Sequence, residues 1–320
     1  MKSLAWKNAF PNFFAKYGSL TLMIAVCLFM AISVPSFALP DNLLSVLRQI
    51  AVIGIMAFGL TFAIAAGGFD MSIGSVAALS TVLTAWLAVK GTSAYLIVLI
   101  VIVVGTFVGW LNGLFCAKLG IAPWVGTLAT MLIAIGPQYM LTEGGSQIQG
   151  GLGEPQALIV TIGEGFWGPL PVAAVVMLVL CAVCEYVLSH TRLGVHIQAT
   201  GGDPIAAESC GISSTRILWI AYSICGLLAA FSGFVMATRM GIGQVRAGEP
   251  YLMDSIAAVY LGSTILKEGQ KHIIGTLIGV VFMGVMFNGL TMMQVPYWGL
   301  YLFRGIMVFI AVLFSGFKSK

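Results

Sequence analysis

The chain contains 320 residues, of which 59% are hydrophobic and only 8% are charged, and its mean hydropathy is +1.03. A soluble domain carries about 25% charged residues, so the 15 basic and 11 acidic side chains are too few to cover a soluble surface. This composition excludes a soluble enzyme, a nucleic-acid-binding domain and a disordered protein. It predicts an all-α polytopic membrane protein surrounded by lipid.

About ten apolar stretches approach the ~20 residues that a transmembrane helix requires. The predicted spans cover residues 19–38, 49–67, 72–89, 94–116, 120–141, 168–188, 217–238, 252–266, 273–293 and 297–317. The eighth is the shortest, and Asp254 lies near its start. The first resembles a secretion signal, but its apolar run is long and no clear cleavage site follows it, so we favour a retained helix.

The distribution of Lys and Arg predicts the orientation of these spans. Placing the N-terminus in the cytoplasm puts ten basic residues in cytoplasmic segments and four in outer segments, as the positive-inside rule favours. We therefore expect both termini in the cytoplasm and one membrane domain over 1–320. A short cytoplasmic segment, 1–18, precedes the first span, and a longer cytoplasmic loop covers about 189–216.

The polar residues do not form an enzyme site. Most of the six cysteines lie in apolar runs, including Cys181 and Cys184, and the three histidines lie in polar loops and form no metal-binding motif. The chain also has no phosphate-binding GxxxxGK[ST] loop. We expect no catalytic residue, no metal site and no cofactor on this chain.

Two segments resemble each other and suggest an inverted internal repeat. Residues 105–109 (GTFVG) are followed by NGL at 112–114, and residues 275–279 (GTLIG) are followed by NGL at 288–290. The two segments lie five predicted spans apart, and an odd offset makes a duplication inverted, as in many transporters. Chance similarity between glycine-rich helices is the alternative. The glycines at 105, 109 and 113 also form a GxxxG face for helix packing.

The sequence GGFDMSIGS, residues 67–75, separates the second and third spans. Its paired glycines permit a tight reversal, and Asp70 or Ser72 can cap the following helix. One interpretation is a capped turn and nothing more. The other is a helix break that faces a transport pathway. The full set of candidate pathway or helix-break residues is Gly67, Gly68, Asp70, Ser72, Gly74, Asn112, Asp254, Asn288 and Arg304.

The loop at 189–216 contains signals for a short helix. Asp203 is a good N-cap and Pro204 a good first helical residue, while Gly211 suits the left-handed position that ends a helix. We predict a two-turn helix over 204–210, capping of the next span by Ser213 or Ser214, and a surface that docks on another protein. An ordinary interfacial helix is the alternative.

Arg304 lies about two turns inside the last predicted span. An intramembrane charge indicates a functional site. The alternative is that its side chain extends to the outer interface among Tyr297, Trp298, Tyr301 and Phe303.

Through these motifs, the chain resembles the ribose/arabinose-type permeases of bacterial ABC sugar importers. The family pattern GGIDLSVGS corresponds to GGFDMSIGS at 67–75, and AIGGNxxAAxxSGI corresponds to ATGGDPIAAESCGI at 199–212. The pattern YELDAIAAVVLGGT corresponds to YLMDSIAAVYLGST at 251–264. The match runs in order over roughly 40–315.

The resemblance implies a permease subunit that moves a monosaccharide or sugar-like solute across the bacterial inner membrane by alternating access. It also implies an ATPase subunit with two nucleotide-binding domains that holds ATP and Mg, a second permease chain (identical or paralogous), and a periplasmic sugar-binding protein. The implied ATPase-coupling residues are Gly201, Gly202, Asp203, Pro204, Ala206, Ala207, Glu208 and Gly211.

The chain departs from the family pattern at several positions. They are Phe69, Met71, Leu252, Met253, Ser263 and the segment 267–272. These changes put the usual pentose in doubt; a different polyol or sugar derivative, or half of a heterodimeric pair, would account for them. A permease for branched-chain amino acids or nucleosides is an alternative, followed by a self-sufficient secondary transporter and, weakest, an integral membrane enzyme.

Overall fold

The computed structural model describes residues 21, 24–25, 28–34, 36–150, 157–264 and 270–318. Its helices are α1 (Pro40–Ala65), α2 (Ile73–Val89), α3 (Ala94–Gly113, continued by a π-helical turn Leu114–Lys118), α4 (Pro123–Leu141), α5 (Ala157–Glu164), α6 (Val172–His190), α7 (Arg192–Gly202), α8 (Pro204–Ser209), α9 (Ser214–Met240), α10 (Glu249–Gly262), α11 (Ile273–Met292) and α12 (Tyr297–Lys318). Four short strands are β1 (Gln147–Gln149), β2 (Phe166–Trp167), β3 (Leu170–Pro171) and β4 (Ile242–Gln244).

The structure confirms an all-α membrane protein. Within the described ranges, six helices (α1, α3 with its π turn, α4, α6, α9 and α11) are long and apolar enough to cross a membrane. Apolar segments of α2 and α12 are shorter, and α10 has 14 residues. The predicted first span, 19–38, and the segment 1–18 lie largely outside the described residues, although 28–33 are helical.

Helices α1 and α9 form the centre of the molecule. Both are buried over most of their length, and they contact each other where the Ser232 hydroxyl donates a 2.7 Å hydrogen bond to the Val52 carbonyl oxygen. Helix α3 packs on α9 through the predicted glycine face. A Cβ on Gly109 would clash with the backbone of Tyr222, and one on Gly226 would lie 2.8 Å from the Cα of Gly109. Small residues thus let two membrane helices approach closely.

The predicted outer loops on either side of this core are joined by a small antiparallel ladder. Strand β1 precedes α5, and β4 follows α9; they pair with Gln147 opposite Gln244 and Gln149 opposite Ile242. Strands β2 and β3 form a separate hairpin before α6. The sixth span consequently begins as a helix at Val172 rather than at the predicted residue 168.

Candidate solute pathway and coupling segment

Helix α2 begins close to the level of the middle of α1. Val52 is the thirteenth of the 26 residues of α1, and it lies level with the neighbouring Ser232. Gly233 in turn packs against Ala77 and Ser80 with no room for a Cβ. The first residue of α2, Ile73, is four residues from Ala77, which is about 6 Å along a helix. The segment 66–72 therefore turns back into the core before α2 starts.

Helix α10 begins at the same level. A Cβ on Gly74 would lie 2.9 Å from the carbonyl oxygen of Gly248, so the first turns of α2 and α10 touch through their backbones. The segment 242–248, between α9 and α10, runs back along α2 to this point. The Thr81 hydroxyl of α2 donates a 3.0 Å hydrogen bond to the Gln244 carbonyl oxygen of this segment. Two helices thus start partway along the neighbouring long helices, a geometry that transporters use at midplane sites.

Gln138 of α4 holds this meeting point together. Its side chain is fully buried, its Nε2 donates a 3.1 Å hydrogen bond to the Ser75 carbonyl oxygen, and its Oε1 accepts a 2.9 Å bond from the Arg246 amide. Arg246 adopts a left-handed backbone with φ +60°, which a non-glycine residue rarely adopts. The amide of Gln138 therefore fixes a strained turn just before α10.

Asp70 lies at the centre of a buried polar cluster between α1 and α2. Its Oδ1 accepts hydrogen bonds from the Ser72 amide (2.8 Å) and hydroxyl (2.7 Å), and its Oδ2 accepts one of 3.1 Å from Asn112 Nδ2. The Thr130 hydroxyl of α4 donates to Asn112 Oδ1. Asp70, Ser72, Asn112 and Thr130 are all 2% exposed or less. Asp70 and Asn112, predicted from separate motifs, therefore form one site.

The capping prediction at this break is correct in part. Ser72 occupies the N-cap position of α2, but its side chain makes no capping bond; its hydroxyl donates to Asp70 instead. The preceding backbone is held by two further side chains, since Phe69 N donates to the Tyr222 hydroxyl (3.1 Å) and Met71 N to the Thr127 hydroxyl (3.0 Å). The break is thus fixed by α3, α4 and α9 together.

Asp254 and Arg304 form an ion pair, and the guanidinium also lies near Tyr301, one of the aromatic residues of the interface alternative. Arg304 Nε donates to Asp254 Oδ1 at 2.9 Å and Nη2 to Oδ2 at 3.3 Å. The Asp254 side chain is 1% exposed and that of Arg304 is 15% exposed. The guanidinium also lies 4.2 Å from the centre of the Phe287 ring. Two candidate residues 50 positions apart therefore neutralise each other on facing helices.

A cavity of about 550 Å³ opens beside this ion pair. Its charged and hydroxyl-bearing wall consists of Arg246, Glu249, Tyr301 and Arg304. Its apolar wall includes Met71, Met131, Pro250, Leu252 and Met253. The cavity therefore joins the break before α2, the start of α10 and the charged residue of α12.

The predicted short helix in the loop 189–216 is confirmed as α8. Asp203 Oδ1 accepts hydrogen bonds from the amides of Ile205 (2.9 Å) and Ala206 (3.1 Å), and Gly211 has the expected left-handed φ of +82°. Ser213 occupies the N-cap of α9 without a capping bond, and the Ser214 hydroxyl donates to the Pro204 carbonyl oxygen, so neither caps α9 as predicted. The sequence prediction also missed α7, which covers the first half of the loop.

The end of α7 contacts the break before α2. A Cβ on Gly201 would clash with the Ala65 carbonyl oxygen and lie 3.1 Å from the Gly67 amide nitrogen. The neighbouring Gly202 has open space at its Cβ position. Glycine at 201 is therefore needed for close approach, and the two motifs GGFDMSIGS and GGDPIAAESCG are in direct contact.

Asn288 lies apart from these residues. Its side chain exchanges two hydrogen bonds of 2.9 Å with Asn42 at the start of α1. It does not line the cavity. Its contacts instead join α11 to α1.

Sequence reasoning missed Gln138, Thr130, Thr127 and Tyr222. The two threonines follow Pro123 at helical spacing on one face of α4, and Gln138 is an amide in a charge-free span. Polar side chains within a span indicate a functional or structural site, so this signal was present. Within the described ranges, no group of three or more His, Cys, Asp and Glu residues is arranged to hold a metal ion.

Comparison with known proteins identifies the family. A family model described as the permease component of branched-chain amino acid transport systems matches residues 42–312. The ribose import permease of Bacillus subtilis is 37% identical over 310 residues, 97% of this chain and 95% of the relative. The ribose import permease of Escherichia coli K12 is 33% identical over 94% of this chain and 93% of the relative. The E. coli K12 L-arabinose transport system permease is 29% identical over 98% and 94%.

No significant match was found among solved structures. The chain belongs to this family of transport-system permeases, since the family model covers most of its length. The expected resemblance to ribose- and arabinose-type permeases is thereby confirmed.

Proposed function

We propose that the chain is the membrane-spanning subunit of an ATP-driven importer that moves a monosaccharide or a sugar-like solute across the bacterial inner membrane. The contact of Gly201 with Ala65 and Gly67 carries this proposal, because it joins the exposed coupling segment to a break inside the membrane core. The relatives that match nearly the whole chain are named for ribose and arabinose. They favour a sugar over the branched-chain amino acids in the family description.

In this proposal the ATPase subunit, which holds ATP and Mg, docks on residues 201–212 of the cytoplasmic loop 189–216. The exposed side chain of Ile205 and the capped helix α8 support such a docking surface. ATP binding must stabilise one state of the permease over the other, so the coupling segment must contact the ATPase differently in each state. Gly201 would pass that difference to the segment 66–72.

The proposed assembly contains a second permease chain, identical or paralogous, and a periplasmic sugar-binding protein. Each chain is one membrane domain over 1–320 with about ten spans and both termini in the cytoplasm. Pairing of β1 with β4 supports part of this topology, because it requires two predicted outer loops to lie on one side.

An inverted repeat relating α1–α4 to α9–α12 belongs to the same proposal. In this scheme α1, α2, α3 and α4 correspond in order to α9, α10, α11 and α12. The packing of α3 on α9 then corresponds to that of α11 on α1. The packing of α4 on α2 corresponds to that of α12 on α10. The two short helices α2 and α10 occupy equivalent positions in this scheme, and both begin inside the core.

Reconstitution in proteoliposomes tests the proposal. The permease, its ATPase and its binding protein are expected to accumulate radiolabelled D-ribose or another monosaccharide only with ATP. Uptake of leucine but of no sugar would support the amino-acid alternative. Uptake by this chain alone, driven by an ion gradient, would establish a secondary transporter.

A further inference from the structure

We propose that the cavity beside the Asp254–Arg304 pair selects the transported solute, and that it takes an uncharged sugar derivative with an apolar portion. This inference rests on the proposed function as a sugar importer. It assigns the site of selection and the chemistry of the solute, which the membership of the family leaves open.

The cavity charges are matched within the protein. Arg246 Nε lies 2.6 Å from Glu249 Oε1, and Arg304 pairs with Asp254 on the other side. Each cation has its own carboxylate, so the wall offers no surplus charge to neutralise a carboxylate or ammonium group on a solute. Burying an unpaired ionic group is unfavourable, and an uncharged solute therefore fits best.

The polar groups of the wall suit hydroxyls. Carboxylate oxygens of Glu249 accept hydrogen bonds, and the guanidinium groups of Arg246 and Arg304 donate them. The side chains of Arg246 and Glu249 are 56% and 28% exposed, so they can reach a solute in the cavity. Exposed charged side chains such as these face water or a polar solute rather than lipid.

The rest of the wall is apolar and adaptable. Met71, Met131 and Met253 line it together with Leu252. Methionine side chains are flexible and polarisable, and they pack against apolar groups of varied shape. The volume of about 550 Å³ lies in the usual range for small-molecule sites. A fully hydroxylated sugar would place hydroxyl groups against this apolar wall, whereas a deoxy or alkylated sugar can place an apolar group there.

Three of the five single-residue departures from the family pattern lie on this wall. Met71, Leu252 and Met253 all line the cavity, and Leu252 stands where the pattern has Glu. A carboxylate that would accept hydrogen bonds from hydroxyls is thus replaced by an isobutyl group. Phe69 also departs from the pattern but does not line the cavity, so it provides a matched control.

Competing uptake of D-ribose and 2-deoxy-D-ribose by the reconstituted importer tests the inference. The test variant Met71→Leu/Leu252→Glu/Met253→Leu restores the family pattern, and the same binding protein is used throughout so that its own selectivity cancels. We expect the ratio of initial uptake rates to shift about tenfold towards D-ribose, as the pairing of one hydroxyl allows. The control Phe69→Ile should leave the ratio unchanged.

An unchanged ratio in a transporting triple variant, or an equal shift in Phe69→Ile, would overturn the inference. If the triple variant fails to insert, Leu252→Gln adds a hydrogen-bonding amide to the wall without a charge and should shift the ratio about threefold in the same direction; no shift in that variant also overturns it. Failure of the native importer to move any monosaccharide with ATP would instead reject the proposed function.

Discussion

Two buried aspartates, Asp70 and Asp254, are stabilised in different ways. Asp70 is fully buried and accepts hydrogen bonds from Ser72 and Asn112, with no salt bridge among the described residues. Asp254 is equally buried but pairs with the guanidinium of Arg304. The first arrangement is a closed cluster that fixes a chain reversal. The second lies beside an open cavity that Arg304 lines.

The largest expected effect comes from removing the cation beside Asp254. Arg304→Met leaves a buried carboxylate without its partner, and breaking such a pair costs about 3–5 kcal/mol. The free energy of unfolding of the purified permease in detergent should fall by that amount. The double variant Arg304→Met/Asp254→Leu should recover most of the loss, because it removes both charges. A single variant as stable as the native protein would mean that the pair does not form.

Removing the donor to Asp70 should cost less, because no opposite charge is lost. Asn112→Leu deprives Asp70 of one hydrogen bond and the Thr130 hydroxyl of one of its acceptors, which predicts a loss of about 1–3 kcal/mol in the same unfolding assay. Asn288→Leu is the matched control. Its hydrogen bonds to Asn42 are only partly buried, so we expect a smaller loss. Equal losses of unfolding free energy at both positions would mean that the buried Asp70 cluster contributes no more than the partly buried Asn42–Asn288 contact.

The contact of Gly201 with Ala65 and Gly67 can be tested by substituting the adjacent glycines Gly201 and Gly202. Gly201→Ala places a methyl group against the Ala65 carbonyl oxygen, and such overpacking costs about 1–3 kcal/mol. ATP-driven uptake should fall with it. Gly202→Ala has free space and should change the unfolding free energy by less than about 0.5 kcal/mol. Similar behaviour of the two variants would remove the basis for coupling through Gly201.

The smallest effect on stability is expected at an exposed third aspartate. Asp203→Ala removes the side chain that caps α8, at a cost of about 1 kcal/mol to that helix. Because α8 is short and largely exposed, the global unfolding free energy should change little, while ATPase activity stimulated by the permease should fall. Asp203→Asn retains an acceptor and should preserve that activity. Loss of stimulation in Asp203→Asn as well would assign the effect to the charge rather than to the cap.

Most helices could be predicted from the sequence, because apolar runs and charged boundaries are local properties. The cap at Asp203 and the left-handed Gly211 were predicted for the same reason. The pairing of Asp254 with Arg304 could not be predicted, since nothing local shows that α10 and α12 face each other. The return of residues 242–248 into the helix bundle was also missed. The position of this segment depends on the contact of Gly74 with Gly248, which composition does not show.

The ladder between β1 and β4 has a consequence for biosynthesis. Its two strands are separated by about a hundred residues, which include α5 to α9. At ribosomal rates of about 5–20 residues per second, β1 must wait on the order of 5–20 s before its partner strand is made. During that interval the Gln138 side chain also lacks the Arg246 amide that it later binds. The N-terminal half must therefore persist in the bilayer as an incomplete intermediate, with an open strand edge until the chain after α9 has been synthesised.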